Sequence, residues 1–201
     1  MMVFILIVMI IDLLIPFLIA IPYKGYSHSK MVMSILGCKA SPLGEIYNIW
    51  LILSGCVVTL LGYSIFCAYN KIYYILSLMI FIFLALYGIG DEIISSFFPL
   101  NEKKEDITFS SQIHCIGSGI GFTSMQFAPL LLAILQFKTN KLILSICSGT
   151  FFILSFILFI FFIIAGNPQF KNTVFALKGL WQRVLCTLMY SPFLIWIIVS
   201  L

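Results

Sequence analysis

The sequence predicts an all-α polytopic membrane protein: a six-transmembrane-helix bundle with short interfacial helices in its long connections. Three observations carry this. Of 201 residues, 62% are hydrophobic and only 9% charged, where an ordinary soluble domain carries roughly 25% charge. The apolar residues fall into runs of about 20, which match the ~30 Å hydrocarbon core at 1.5 Å per helical residue. Polar residues collect between the runs, so residues 1–201 are read as a single domain of six spans.

The first span is expected over residues 2–22, with Asp12 near its middle. It lacks a basic n-region and an A-x-A-like cleavage site and exceeds a signal h-region, so it stays as a membrane helix. A carboxyl at that depth is costly and is expected to face the bundle, with Gln126 as its polar neighbour. The connection 23–45 carries the apolar cluster Met31, Val32, Met33, Ile35 and Leu36 after Ser27 and Ser29, and before Gly37. That pattern predicts a short capped helix lying along the interface. The second span, 46–69, turns at Asn70 and Lys71 into the third, 72–98, which Pro99 ends. After the polar stretch 100–112 comes the fourth span, 113–137. Its step Gly117 to Gly121 invites close approach of a neighbour, and Pro129 is expected to bend it. Residues 138–141 form a second tight turn. The fifth span, 142–165, reads as the most uniformly apolar and as lipid-facing, and 166–178 as another interfacial piece. The sixth, 179–201, places Trp181, Tyr190 and Trp196 like interface anchors.

The six cysteines, Cys38, Cys56, Cys67, Cys115, Cys147 and Cys186, include no CxxC pair, so neither metal nor redox chemistry is indicated. Cys56, Cys67, Cys147 and Cys186 read as buried free thiols, while Cys38 and Cys115 are the exception, expected at the same membrane face and open to bridging if that face is oxidising. The net charge of +4 is dispersed over connections, without the basic patch that a row of phosphates requires, which excludes nucleic acid as a partner. Most lysines lie on the side of the long connections, and counted alone they place that side in the cytoplasm.

Chemistry concentrates between Gly88 and Gln126. In an α-helix successive residues point 100° apart, so only one of Asp91 and Glu92 is expected to face inward. Tyr87 and Ser95 share the stripe of Asp91 and favour it. His114, opening the next helix at the same level, is its natural partner. This makes Asp91 and His114 the candidate catalytic pair, an orienting acid and a general base or acid. Arg183, with Thr187 and Tyr190 or Ser191 deeper on its stripe, is placed either to pair with an acid or to hold an anionic headgroup bidentately. Glu45, Asn48, Glu92, Ser34 and Tyr26 complete a ring of binding candidates at one membrane face. No metal site is expected, because only two histidines exist and His28 has no partner at ligand spacing. Nothing in the sequence names a cofactor.

Four stretches in order also carry a resemblance: KGYSHSKMVMSILG after the first helix, Asn48, FFPLN followed by His114, and KGLWQR opening the last helix. Together they resemble the bacterial six-helix membrane family catalogued as domain of unknown function 998, over almost the whole chain. The resemblance points to Tyr26, Ser27, Ser34, Leu36, Gly37, Phe98, Pro99, His114, Gly179, Leu180 and Arg183. Asn101 and Gln182 stand where the family pattern has acids. The family is similar in topology to six-span proteins linked to lipid-anchor remodelling and membrane lipid organisation, which implies membrane lipids as partners. It also implies an N-terminus-in orientation, opposite to the lysine count.

The function expected is engagement of a lipid or lipid-linked headgroup by the polar ring, in a multi-pass protein of the cell membrane. The alternatives are a non-catalytic regulatory, sensor or immunity protein whose ring or 100–112 connection docks a partner membrane protein, and a small transporter using Asp12.

Overall fold

Each apolar run that is long enough to cross a bilayer becomes a helix, six among the described residues. They are α1 (Met2–Ile19), α2 (Gly44–Tyr69), α3 (Tyr74–Phe97), α4 (Phe109–Lys138), α5 (Leu142–Ile164) and α6 (Lys178–Ser200). The structure is a computed structural model that describes residues 1–101, 108–171 and 173–201. Among these residues there is no strand. Tight turns join α2 to α3 and α4 to α5, the latter with Asn140 at a positive φ of 59°. The three longer connections lie at the opposite end of the bundle.

The element boundaries follow local chemistry. α4 starts at Phe109, ahead of the expected start at 113, because Thr108 and Ser111 cap it reciprocally: each side-chain oxygen accepts the other's backbone N–H, at 3.3 and 3.0 Å. The apolar cluster of the first connection forms only a 3₁₀ turn, Met33–Gly37. Ser27 and Ser29 contact each other at 3.3 Å rather than capping it. Ile35 and Leu36 are nonetheless buried, and Leu36 packs with Ile19, Ala20 and Tyr47. Between α5 and α6 there are two single 3₁₀ turns, Pro168–Phe170 and Val174–Ala176, opened by the side chains of Asn167 and Thr173. Of the 100–112 stretch, residues 102–107 lie outside the described residues, and 109–112 form the start of α4.

The packing is that of a protein dissolved in lipid. α5 is the least buried helix, as its composition predicts, although α1 is more apolar still. Its serines turn inward: Ser148 donates to Gln136 at 2.7 Å, and Ser155 accepts from Gln126 at 2.9 Å. Cys56 and Cys67 lie on exposed helix faces, contrary to the expectation of buried thiols, and Cys115 is exposed as well. All six cysteines are free; Cys38 is buried beside the Tyr23 hydroxyl at 3.6 Å, so no bridge joins it to Cys115. Tyr190 and Trp196 are not interface anchors either, because both are buried in the core.

α3 departs from α-helical geometry where its charges are. Residues Tyr87–Ile93 form a wide π turn in which backbone bonds close over five residues. Backbone crowds this turn from both sides. Gly88 meets Gly55 of α2, and a Cβ on Gly90 would stand 2.7 Å from the Gly117 carbonyl oxygen of α4. The Gly117 and Gly121 step does admit a neighbour, which is this turn. Gly119, between them, faces open space. Gly90→Ala is therefore expected to destabilise the solubilised protein by about 1–3 kcal/mol through overpacking, while Gly119→Ala stays within about 0.5 kcal/mol. Thermal unfolding in detergent measures both.

Candidate functional site

The wide turn puts two adjacent acids on one side of α3. Glu92 is 2% exposed and Asp91 partly buried, and both line a cavity of about 440 Å³. The expectation that only one acid faces inward fails because a π turn swings neighbouring residues through less than the 100° of an α-helix. Of the two it is Glu92 that is the more deeply buried.

The cavity lies among α1, α2, α3, α4, α6 and the first connection. Asp12, Ser34, Asn48, Asp91, Glu92, His114 and Arg183 all contribute to its wall. Glu45 does not, being exposed at the start of α2. Tyr26 acts from behind the wall. Phe17, Leu180 and Val184 also line the cavity while remaining 45, 37 and 38% exposed. The cavity thus reaches the bilayer-facing seam between α1 and α6.

Arg183 ties the first connection to α6. Its Nη1 donates to the carbonyls of His28 at 2.6 Å, Gly179 at 2.9 Å and Met31 at 3.3 Å, and Nη2 donates to the Tyr26 hydroxyl at 2.7 Å. The guanidinium carbon lies 5.6 and 5.7 Å from the ring centres of Phe17 and Tyr26. A Cβ on Gly179 would collide with the Met31 and His28 carbonyls, so only glycine admits this approach. Leu180 N–H donates to Ser29 O at 2.9 Å, and Gln182 Oε1 accepts from Met33 N–H at 2.8 Å. A glutamate at position 182 has an equivalent acceptor, so Gln182 keeps this contact. The expected pairing of Arg183 with Asp91 or Glu92 does not form: its partners are carbonyls and a phenol. Nε, also buried, has no partner.

Asp12 is held by Trp50 Nε1, donating to Oδ1 at 2.7 Å, and by the Tyr190 hydroxyl, 2.9 Å from Oδ2. Gln126 is not its neighbour, since it turns to Ser155. The same Tyr190 oxygen lies 3.0 Å from Glu92 Oε1 and 3.1 Å from the Tyr87 hydroxyl. Trp50 is the residue that sequence reasoning missed. One turn inside α2 from the ring, it carries no charge to draw notice.

Asp91 and His114 share the cavity without a mutual hydrogen bond. His114 is buried, and its Nδ1 meets the Phe98 carbonyl at 3.0 Å. Asn48 Nδ2 donates to Gly37 O at 3.0 Å and fixes the end of the 3₁₀ turn. Among the described residues no three His, Cys, Asp or Glu side chains are grouped to hold a metal ion.

At the rim, burial pushes the Tyr26 phenol above its ordinary range, and the Arg183 charge opposes this. Burial lowers the His28 pKa, and the Arg183 charge lowers it further. His28 is therefore expected to titrate below 6.5 in an NMR pH series, and Arg183→Gln to move it back upward. Its neutral form contributes stability above pH 6.5, which is lost as pH falls below that value towards the folded pKa.

No curated protein and no solved structure matches this chain. Residues 6–200 match the family described as "Protein of unknown function (DUF998)", and the chain belongs to that family.

Proposed function

We propose that the cavity binds a lipid or lipid-linked headgroup in the cell membrane, holding its anionic group at Arg183. One observation carries this reading: a guanidinium only 8% exposed lines the cavity with its Nε–H unpartnered and no carboxylate among its hydrogen-bond partners. A buried cation without a counter-charge is costly, and a bound phosphate or carboxylate supplies that charge with matching fork geometry. The opening at the α1–α6 seam suits a ligand whose acyl chains stay in the bilayer while its headgroup enters sideways. His114 and Asp91 on the same wall are the groups available for acid–base work on the bound headgroup.

The transporter reading now shares this site, because Asp12 lines the same cavity. Docking of a partner through residues 100–112 concerns a stretch of which 102–107 lie outside the described residues.

The test is lipid mass spectrometry of membranes expressing wild type, His114→Ala, Asp91→Asn and Arg183→Gln, together with the lipids copurifying with each protein. Losing a charged hydrogen bond costs about 1.5–3 kcal/mol, so Arg183→Gln should retain roughly tenfold less anionic lipid or lower. His114→Ala should retain the lipid. A species that changes in the membrane only with wild type makes the protein an enzyme on that lipid. Equal copurified lipid from wild type and Arg183→Gln, at equal abundance, ends the headgroup reading.

A further inference from the structure

A second cavity, of about 410 Å³, is bounded by α3, α4, α5, α6 and the first connection, a size that suits a small headgroup. Ser34, Asp91, His114 and Gln182 line it and the first cavity alike, so these four side chains form a partition between the two. Its opening is separate. Cys115, Gly119 and Thr123 of α4 and Ile163 of α5 line it and are exposed, which turns its mouth to the bilayer beside α4 rather than to the α1–α6 seam. Phe122, Phe159 and Phe162 close its apolar side, the ring centre of Phe122 lying 6.2 and 5.5 Å from those of the other two.

A hydroxyl in hydrocarbon needs a partner. Ser64, Ser124, Thr150, Thr187 and Ser191 each donate to the carbonyl one turn back in their own helix, at 2.7–2.9 Å. Ser118 and Thr123 of α4 do not. Neither they nor Ser34 has a hydrogen-bond partner among the described residues, and all three line the second cavity. The partition adds groups of both kinds. Gln182 spends Oε1 on the Met33 N–H, which leaves its amide hydrogens as donors. His114 Nδ1 gives its hydrogen to the Phe98 carbonyl, so Nε2 of the neutral ring is an acceptor, and the Ser95 carbonyl beside the ring is another. Asp91 accepts no hydrogen bond from a described residue.

Donors and acceptors side by side match a group that is both. A phosphate oxygen accepts and an ammonium donates, whereas each alcohol hydroxyl does both. Asp91 and Lys178, whose ammonium lies 4.8 Å from the Phe162 ring centre, carry opposite charges when ionised, so the wall calls for no net charge on the ligand. From Cys115 to Thr123 the polar side of α4 extends about 12 Å, the reach of a sugar and the glycerol that bears it. We propose that the second cavity is a subsite for an uncharged, hydroxyl-rich lipid headgroup of the glycosyl-diacylglycerol class, with its acyl chains left in the bilayer beside α4 and α5. Binding there moves no proton and adds no charge. It rests on the headgroup reading above only in that the two ligands share the partition of His114 and Asp91.

The test uses Cys115, an exposed thiol on the cavity wall, as its reporter. The full chain in phosphatidylcholine nanodiscs is alkylated with N-ethylmaleimide, and labelling at each cysteine is followed by peptide mass spectrometry. Glucosyl diacylglycerol at about ten times its Kd should slow Cys115 labelling about tenfold, while the exposed thiols Cys56 and Cys67 of α2 label as before. Phosphatidic acid, an anion without headgroup hydroxyls, should leave Cys115 unprotected. Ser118→Ala combined with Thr123→Val removes two hydroxyls with little change of shape, and should raise the glycolipid needed for half-protection roughly tenfold. The proposal is overturned by Cys115 labelling that glucosyl diacylglycerol does not slow, by equal protection from phosphatidic acid, or by equal protection in the double variant. The comparison of lipids on wild type needs no variant to fold. Arg183→Gln separates the two readings. If anionic lipid copurifies equally with wild type and Arg183→Gln while glycolipid still protects Cys115, the headgroup reading fails and the second subsite stands. If anionic lipid depends on Arg183 and Cys115 is not protected, the second subsite fails and the headgroup reading stands.

Discussion

The wide turn at Tyr87–Ile93 is the constraint on which the rest of the site depends. A regular helix would send either Asp91 or Glu92 towards lipid, where an ionisable group is expensive. The π turn keeps both on the cavity side, and it is held in place by backbone contact rather than by side-chain fit. Gly55, Gly88, Gly90 and Gly117 strip the neighbouring helices down to main chain at this level, so α2 and α4 press directly on the irregular segment. Strongly packed backbone is what lets a less favourable hydrogen-bonding pattern persist at a defined position.

Polarity in this protein points inward. Trp50, Tyr87 and Tyr190 gather around two carboxyls, while α1 and α5 present apolar side chains outward over much of their length. The same logic explains the inward serines of α5, since a hydroxyl in hydrocarbon needs an acceptor and finds one on α4 or in its own helix. A second, smaller assembly sits at the end of the bundle. There Arg183 gathers three carbonyls and a phenol into a clamp between the first connection and α6, segments more than 150 positions apart in the chain. The two assemblies meet across one cavity, with the Arg183 guanidinium on one part of its wall and the Asp12 and Glu92 carboxyls, joined through the Tyr190 hydroxyl, on another.

The stretches that carry the family resemblance largely turn out to be parts of this clamp and rim. Tyr26 and Gly179 hold or admit Arg183, Gly37 receives Asn48, and the Phe98 carbonyl orients His114. Far apart in the sequence, they act together to close one end of the bundle over an open interior.

Composition and run length by themselves determined six spans, their order, and that the long connections share one end of the bundle, because burying backbone in hydrocarbon leaves a helix of about 20 residues as the available solution. The chemistry-bearing residues were also legible, since ionisable groups are scarce in an apolar chain and stand out: Asp91, Glu92, His114 and Arg183 all reach the cavity. What only the tertiary structure decided is who touches whom. The inward direction of Glu92 depends on a π turn that no local signal marks. The partner of Asp12 is a tryptophan on α2 and a tyrosine on α6, not a glutamine on α4, and the charge on Arg183 meets carbonyls rather than acids. Helical periodicity gives each residue a face, but the rotation and depth of one helix against another are set by packing, and those two quantities choose hydrogen-bond partners.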